Sequence, residues 1–248
     1  MIDKKFKLLL VFAHPDDETS ACGGIIIKYS TLGHSIDVCT TTNGDKGDLG
    51  TGDLKIDRRE LGKFRETEQK KVLKYLGANV PFQLGYGDQE LEKMSPGVLS
   101  EQIYNVYKKV TPDIVITFGP KGFSDHTDHI ETHKAATSAF NLYKKENKHS
   151  KLFYLAANED FVKRFNMILS EIEKSPTHNE DITLESKEKI SALKMYKSQK
   201  DAQDLSEMFL TLYKEFGAIE SFVQIYPEIT IPKTSSLLNS HQIINMML

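Results

Sequence analysis

The chain has 248 residues, enough for one sizeable α/β domain with a filled core, and its 39% apolar and 27% charged fractions are ordinary for a globular protein. A formal net charge of -3 excludes nucleic-acid binding driven by bulk positive charge. Two cysteines, Cys22 and Cys39, are too few for a disulfide framework and stand in no Cys-x-x-Cys pair, which points to the cytoplasm, and Cys22 is expected to be a small buried residue.

The N-terminus, MIDKKFKLLLVFAHPDD, begins with lysines and turns apolar as a secretory leader does. Its apolar run LLLVFA is shorter than the roughly 7–15 residues a leader needs and ends in acids, so Met1 is expected to be retained. No stretch approaches the ~20 apolar residues of a membrane span.

KLLLVFA (7–13) is a continuous apolar run suited to a strand buried on both faces. Residues 18–32 predict a helix closed by Gly33, and SIDVCTTT (35–42) a second strand. NGDKGDLGTGD (43–53) is a turn-rich loop. Leu61, Phe64, Gln69, Val72, Leu73 and Leu76 among many charges predict an amphipathic helix over 57–76, ended by Gly77. VPFQLG is a short strand, 96–110 a helix opened by Ser95-Pro96, and PDIVITFG (112–119) the second strong buried strand. The loop PKGFSDHTD, a helix over about 129–145 and the strand KLFYLAA (151–157) follow. Beyond 158 the pattern weakens: SPTHNED (175–181) predicts a loop, ITLESKEKISALKMYKSQ a strand edge running into a helix, 203–216 a helix and SFVQIYPEI a strand.

Strands alternating with helices predict a single Rossmann-like α/β domain whose mostly parallel sheet is flanked by helices. The core is expected over about 6–157, with 158–248 an elaboration of the same domain. Ligands of such sheets sit at the carboxyl ends of the strands, and both HPDDE and SDHTDH fall there.

His14, Asp16, Asp17, His126, Asp128 and His129 form the chemical constellation. A catalytic zinc takes imidazole nitrogen and carboxylate oxygen, three protein ligands leaving one open position. Pro15 biases His14 toward an extended conformation, so the chain turns sharply and His14 can converge with Asp17 while Asp16 points elsewhere. Pro-Asp-Asp is also a plain helix cap, and His-x-Asp-His alone suits a solvated loop. Their joint placement at one sheet edge favours a site. Spacing leaves open whether His126, His129 or His133 completes the ligand set, because His129 and His133 share a helical face. His34, His149, His178 and His241 lack acidic neighbours and are expected at the surface.

AHPDDE followed by HTDH resembles the LmbE/PIG-L family of zinc-dependent N-acetylglucosaminyl de-N-acetylases. TTNGDKG, FRETEQKKVLKYLG, LGYGDQEL, PDIVITFGP and, more faintly, MYKSQ are similar to further segments of that family. The resemblance implies that His14, Asp17 and His129 hold zinc, with iron(II) open as an alternative, and that Asp16 is the general base. His126 would stabilise the tetrahedral oxyanion or protonate the departing amine, with Asp128 orienting it, and Arg65 would contact sugar hydroxyls. It leaves His133 without a role, implies a small amino-sugar substrate, and leaves a homo-oligomer open. Lys121 to Phe123 depart from the more polar loops of some members.

Three other readings compete. One is a zinc amidase acting on a different sugar-conjugate amide, which would use the same site. Another is a metal-binding α/β protein without catalysis. The third is a dinucleotide-binding module, but HPDD replaces the glycine-rich turn after the first strand, and its acids would repel a pyrophosphate.

Overall fold

The computed structural model describes residues 4–228 and Leu237. The first strand, β1 (Lys7–Phe12), shows how the sheet is covered. Side chains alternate across a strand, so Leu8, Leu10 and Phe12 enter one apolar cluster while Leu9 and Val11 enter the other. Burial on both faces is what its unbroken apolar run requires.

Helix α1 (Asp17–Thr31), strand β2 (Ser35–Thr42), helix α2 (Leu61–Leu76) and strand β3 (Phe82–Tyr86) follow. Helix α3 (Val98–Val110), strand β4 (Ile114–Thr117), helix α4 (Thr127–Tyr143) and strand β5 (Lys151–Leu155) complete the regular alternation. Then come α5 (Glu159–Phe165), β6 (His178–Asp181), α6 (Ser186–Leu193), α7 (Lys200–Phe216) and β7 (Ile219–Tyr226). The seven strands form one sheet in the order β3-β2-β1-β4-β5-β7-β6. β3, β2, β1, β4 and β5 are parallel to one another, and β7 lies antiparallel to both β5 and β6. The chain leaves β1 toward β2 and β3 and returns to its other side at β4. The carboxyl ends of β1 and β4 therefore flank a topological switch point, where a crevice opens.

Several boundaries move. The helix expected from residue 57 begins at Leu61, after a turn in which Arg59 pairs with Asp57 at 3.0 Å. Helix α4 starts two residues early, at Thr127, because the His126 ring caps it by accepting from Asp128 N at 3.1 Å. Helix α5, capped by Asn158, was not legible as a helix.

The larger correction is at 175–181. The polar stretch expected to be a loop contains β6, a strand at the sheet edge. Its polarity misleads because the buried carboxylate of Glu180 is paired, accepting from Lys28 Nζ at 2.8 Å and from the Tyr29 hydroxyl. His178 is likewise fully buried, against the edge of Phe153, and not at the surface. His149 is exposed as expected, His34 is half-buried against Phe6, and His241 lies outside the described residues. Residues 182–185 form no strand before α6. Cys22 and Cys39 are free, buried thiols.

Candidate metal centre and active site

The turn after β1 and the first turn of α4 bring three donors together. His14 Nδ1 lies 3.1 Å from His129 Nε2 and 3.4 Å from Asp17 Oδ2, and Asp17 Oδ1 lies 3.4 Å from His129 Nε2. Ligands held ~2.0–2.1 Å from a tetrahedral cation sit about 3.3 Å apart, and the two nitrogens and the nearer carboxylate oxygen of each pair are spaced on that scale. Nitrogen, nitrogen and carboxylate oxygen also form a donor set suited to zinc or iron(II).

Each ring is turned so that the right nitrogen faces the others. His129 Nδ1 donates to the Gly122 carbonyl at 2.9 Å, with the Ser124 hydroxyl also at 2.9 Å, which leaves Nε2 as the lone-pair donor. Phe118 stacks on the same ring, centroids 4.1 Å apart. His14 uses the opposite nitrogen: its Nε2 faces Asp128 Oδ2 at 3.3 Å and Asp88 Oδ1 at 3.2 Å, freeing Nδ1. Burial lowers the affinity of His14 for its proton, but Asp128, Asp17 and Asp88 together hold the pKa well above the ordinary histidine value. Burial would raise the Asp17 pKa, yet the facing His129 and His14 hold it well below the usual carboxylate range.

Asp16 lines the same cavity as these donors, with its carboxylate paired to Arg65, at a conformational cost. Its φ of 134° lies where L-residues are rarely found. Arg65 holds it there: Nη2 donates to Asp16 Oδ2 at 3.0 Å and to the Pro15 carbonyl at 2.9 Å, while Nη1 donates to the Gly44 carbonyl at 3.0 Å. Gly44 permits this approach, since a Cβ there would stand 2.2 Å from Nη1 and φ is +64°. Burial pushes the Asp16 carboxyl up to about 7, with Asp17 and Glu18 adding to the rise and Arg65 opposing it. A proton acceptor poised there suits general base catalysis at neutral pH.

Arg65 is buried, lines the cavity and donates to Asp16, Pro15 and Gly44, so it positions Asp16. One sequence expectation changes. Asp128 does not orient His126 with its carboxylate, which accepts from Gln89 N at 2.6 Å and reaches His14. Only its backbone N–H meets His126, at Nδ1, so the His126 ring hydrogen resides on Nε2. Burial, reinforced by His14 and His129, lowers the His126 pKa and favours the neutral ring. His126 lies beside the triad, its ring centroid 4.7 Å from that of His14, and a nitrogen of each of the three histidines falls within 4.8 Å of the others. His133 turns away and meets the Phe118 carbonyl at 2.8 Å.

Other contributors carried weaker signals. Asp88 follows β3 at the same sheet edge, a position that could have marked it; burial alone would raise its pKa, but His14 pulls it down to about 2. Glu18, next in the motif, is buried and accepts from Tyr196 at 2.6 Å and Gln69 at 3.0 Å, which ties α1 to α2 and to the MYKSQ segment. Gln199 of that segment exchanges hydrogen bonds with Asp48, each at 3.2 Å, and steadies the loop over Arg65. Glu173 gave no sequence signal. Its buried carboxylate accepts from the backbone of Lys121, Phe123 and Ser170 at 3.2, 3.2 and 2.8 Å, pinning the loop whose Gly122 carbonyl orients His129.

A family profile described as PIG-L: GlcNAc-PI de-N-acetylase matches residues 9–140. A 1D-myo-inositol 2-acetamido-2-deoxy-alpha-D-glucopyranoside deacetylase of Rhodococcus opacus is 33% identical over 159 residues, 54% of this chain and 52% of that protein. The chain thus spans about half the length of the curated relatives it matches. An N,N'-diacetylchitobiose deacetylase from Pyrococcus horikoshii shares the fold with a TM-score of 0.68 and 21% identity, over 88% of this chain and 83% of that one. A 4-carboxy-2-hydroxymuconate hydratase from Pseudomonas putida shares it equally well, with a TM-score of 0.69 and 17% identity over 93% of this chain and all of that one. The fold alone therefore leaves the reaction open. The profile spans β1 to α4 and with them every residue of the donor set, and on that match the chain belongs to the PIG-L (GlcNAc-PI de-N-acetylase) family.

Proposed function

We propose that the chain is a metal-dependent amide hydrolase that removes the acetyl group from an N-acetylglucosamine-containing small molecule or glycoconjugate. The observation that carries this reading is the convergence of His14 Nδ1 and His129 Nε2, 3.1 Å apart, on the Asp17 carboxylate, whose Oδ2 lies 3.4 Å from the first and Oδ1 3.4 Å from the second. These residues would hold one zinc or iron(II) ion. When bound, such a cation polarises an amide carbonyl and makes water more acidic.

The chain's own groups supply the rest. Asp16 accepts a proton from the attacking water as the new C–O bond forms, from a carboxylate that Arg65 holds at 3.0 Å. Charge builds on the carbonyl oxygen, and His126, a neutral ring with its hydrogen on Nε2, donates to it. Asp16 then returns the proton to the nitrogen as the C–N bond breaks, giving acetate and a free amine. Asp88 and Asp128 hold the His14 ring, and Glu173 holds the loop beside His129.

The test is acetate release by zinc-loaded protein from a panel of free N-acetylglucosamine and its chitobiose, inositol, malate and lipid conjugates, with Asp16→Asn as the blank. Release from a panel member that the variant abolishes while still binding zinc supports the reading. Silence across the panel with zinc bound refutes it.

A further inference from the structure

We infer that Glu220 is a positioning residue for the metal centre: from the antiparallel edge of the sheet it grips α1 in mid-helix and so fixes Asp17 at the helix start. The inference rests on the hydrolase reading above and deepens it.

Glu220 of β7 and Glu180 of β6 are register partners. Residues directly opposite on antiparallel strands project from the same face, and like charges there repel. Both side chains are also buried, which sharpens the cost. Helix α1 offsets it at both positions. Glu180 accepts from Lys28 Nζ at 2.8 Å and from the Tyr29 hydroxyl. Glu220 accepts from Gly24 N at 2.8 Å and Ile25 N at 2.9 Å, one carboxylate oxygen to each, and Lys189 Nζ of α6 adds a third contact at 2.8 Å. The two grips lie one turn apart on α1.

A mid-helix N–H ordinarily belongs to the carbonyl four residues earlier. A carboxylate that takes two such groups in succession holds the helix at one point along its axis. The sequence makes room for it. A Cβ on Gly23 would stand 2.9 Å from Lys189 Cγ, and one on Gly24 would stand 2.5 Å from Ile182 Cδ1. Two adjacent glycines, poor residues for a helix interior, thus let α1 close onto the sheet edge.

Asp17 is the first residue of the same helix, about 10 Å from Gly24 at a rise of 1.5 Å per residue. His14 belongs to the turn after β1 and His129 to α4, so Asp17 is the donor that rides on α1. Metal–ligand distances tolerate only about 0.2 Å, so a small axial slip of α1 would take Asp17 out of range. Glu220 and Glu180 both lie in the C-terminal elaboration, which therefore takes part in the site through α1.

Two variants set stability against position. Lys189→Met lowers stability but leaves Glu220 on both N–H groups. Lys189→Met with Glu220→Leu regains stability but releases α1. Zinc affinity is read by competition with a chelating dye, ligand geometry by the visible absorption of the cobalt(II)-loaded protein, and stability by urea unfolding of the metal-free chains. The single variant should keep the native cobalt(II) spectrum and bind zinc within about twofold of the native chain. The double variant, although the more stable of the two, should shift that spectrum and bind zinc about 10-fold more weakly or worse. If Lys189→Met does not fold, the double variant against the native chain decides by the same readings. Zinc affinity that follows stability, weaker in the single variant than in the double, overturns the inference. A native spectrum and affinity in the double variant overturn it too and leave the hydrolase reading standing. A native chain that binds no zinc sinks both together.

Discussion

Asp128→Asn separates the orientation of His14 from the integrity of the fold. The Asp128 carboxylate is fully buried; Oδ2 takes Gln89 N at 2.6 Å and faces His14 Nε2 at 3.3 Å. Its Oδ1 finds no partner among the described residues. An asparagine can therefore keep its carbonyl oxygen where both donors need it and put its amide where nothing is displaced. Stability should change by about 1 kcal/mol or less. What disappears is the negative charge that makes His14 a better ligand through its far nitrogen. Groups of this kind typically contribute 10- to 100-fold in metal affinity, about 1.4–2.7 kcal/mol. The single variant should fall at the lower end, about tenfold, because Asp88 Oδ1 stands 3.2 Å from the same nitrogen. Asp88→Asn combined with Asp128→Asn should then cost more than the product of the two single losses, since each carboxylate backs up the other. Zinc affinity by competition with a chelating dye, with urea unfolding of the metal-free proteins as the control, measures both quantities. Native affinity in Asp128→Asn, together with a double variant no worse than the product, would refute carboxylate control of His14.

Arg65→Lys should lower kcat about 10- to 100-fold with KM little changed, because a point charge cannot bridge Asp16, Pro15 and Gly44 as a guanidinium does; a KM effect alone would assign it to substrate binding. Lys189→Met should destabilise the chain by about 3–5 kcal/mol in urea unfolding, since it strands the buried Glu220, and Lys189→Met with Glu220→Leu should recover part of that loss. Recovery will be incomplete because Glu220 also accepts from Gly24 N and Ile25 N, at 2.8 and 2.9 Å. His178 gives a pH signature. Burial, with Lys151 nearby, lowers its folded pKa to about 4, so as pH falls below about 6.5 the unfolded chain takes the proton first. Stability tied to this ring is full above that pH and is lost progressively down to about 4, by up to roughly 3 kcal/mol. His178→Gln should flatten the decline in unfolding free energy between pH 7 and pH 4.5; an unchanged slope would remove His178 as its source.

The strands that were easiest to read are those whose residues all do the same thing. Leu8 to Phe12 and Ile114 to Thr117 are buried on both faces, and unbroken apolar runs announce that. Strand β6 escaped because its burial is bought with pairing: Glu180 is covered by Lys28 and Tyr29, from a helix some 150 residues earlier in the chain. No local pattern carries such a partner. The same holds for the surroundings of Arg65, whose expected role came from the family resemblance alone: the three carbonyl and carboxylate oxygens that bind it come from two distant loops, and no local pattern announces them.

Residues that break local rules mark the site more sharply than any residue type does. Asp16 sits at a φ of 134° with no side-chain capping bond from it to α1, although an aspartate before a helix ordinarily relaxes into a cap. The strain persists because Arg65 grips both the preceding carbonyl and the carboxylate, and Arg65 is in turn packed under Gly44. Relaxing Asp16 would turn its carboxylate from the cavity toward the helix N–H groups and leave Arg65 buried without a counter-charge. The strained turn and the buried arginine are thus one device, in which each makes the other's position tolerable. Because Gly44 belongs to the loop after β2 and Arg65 to α2, the part of the chain between the two halves of the donor set fixes Asp16 as firmly as HPDD fixes His14 and Asp17.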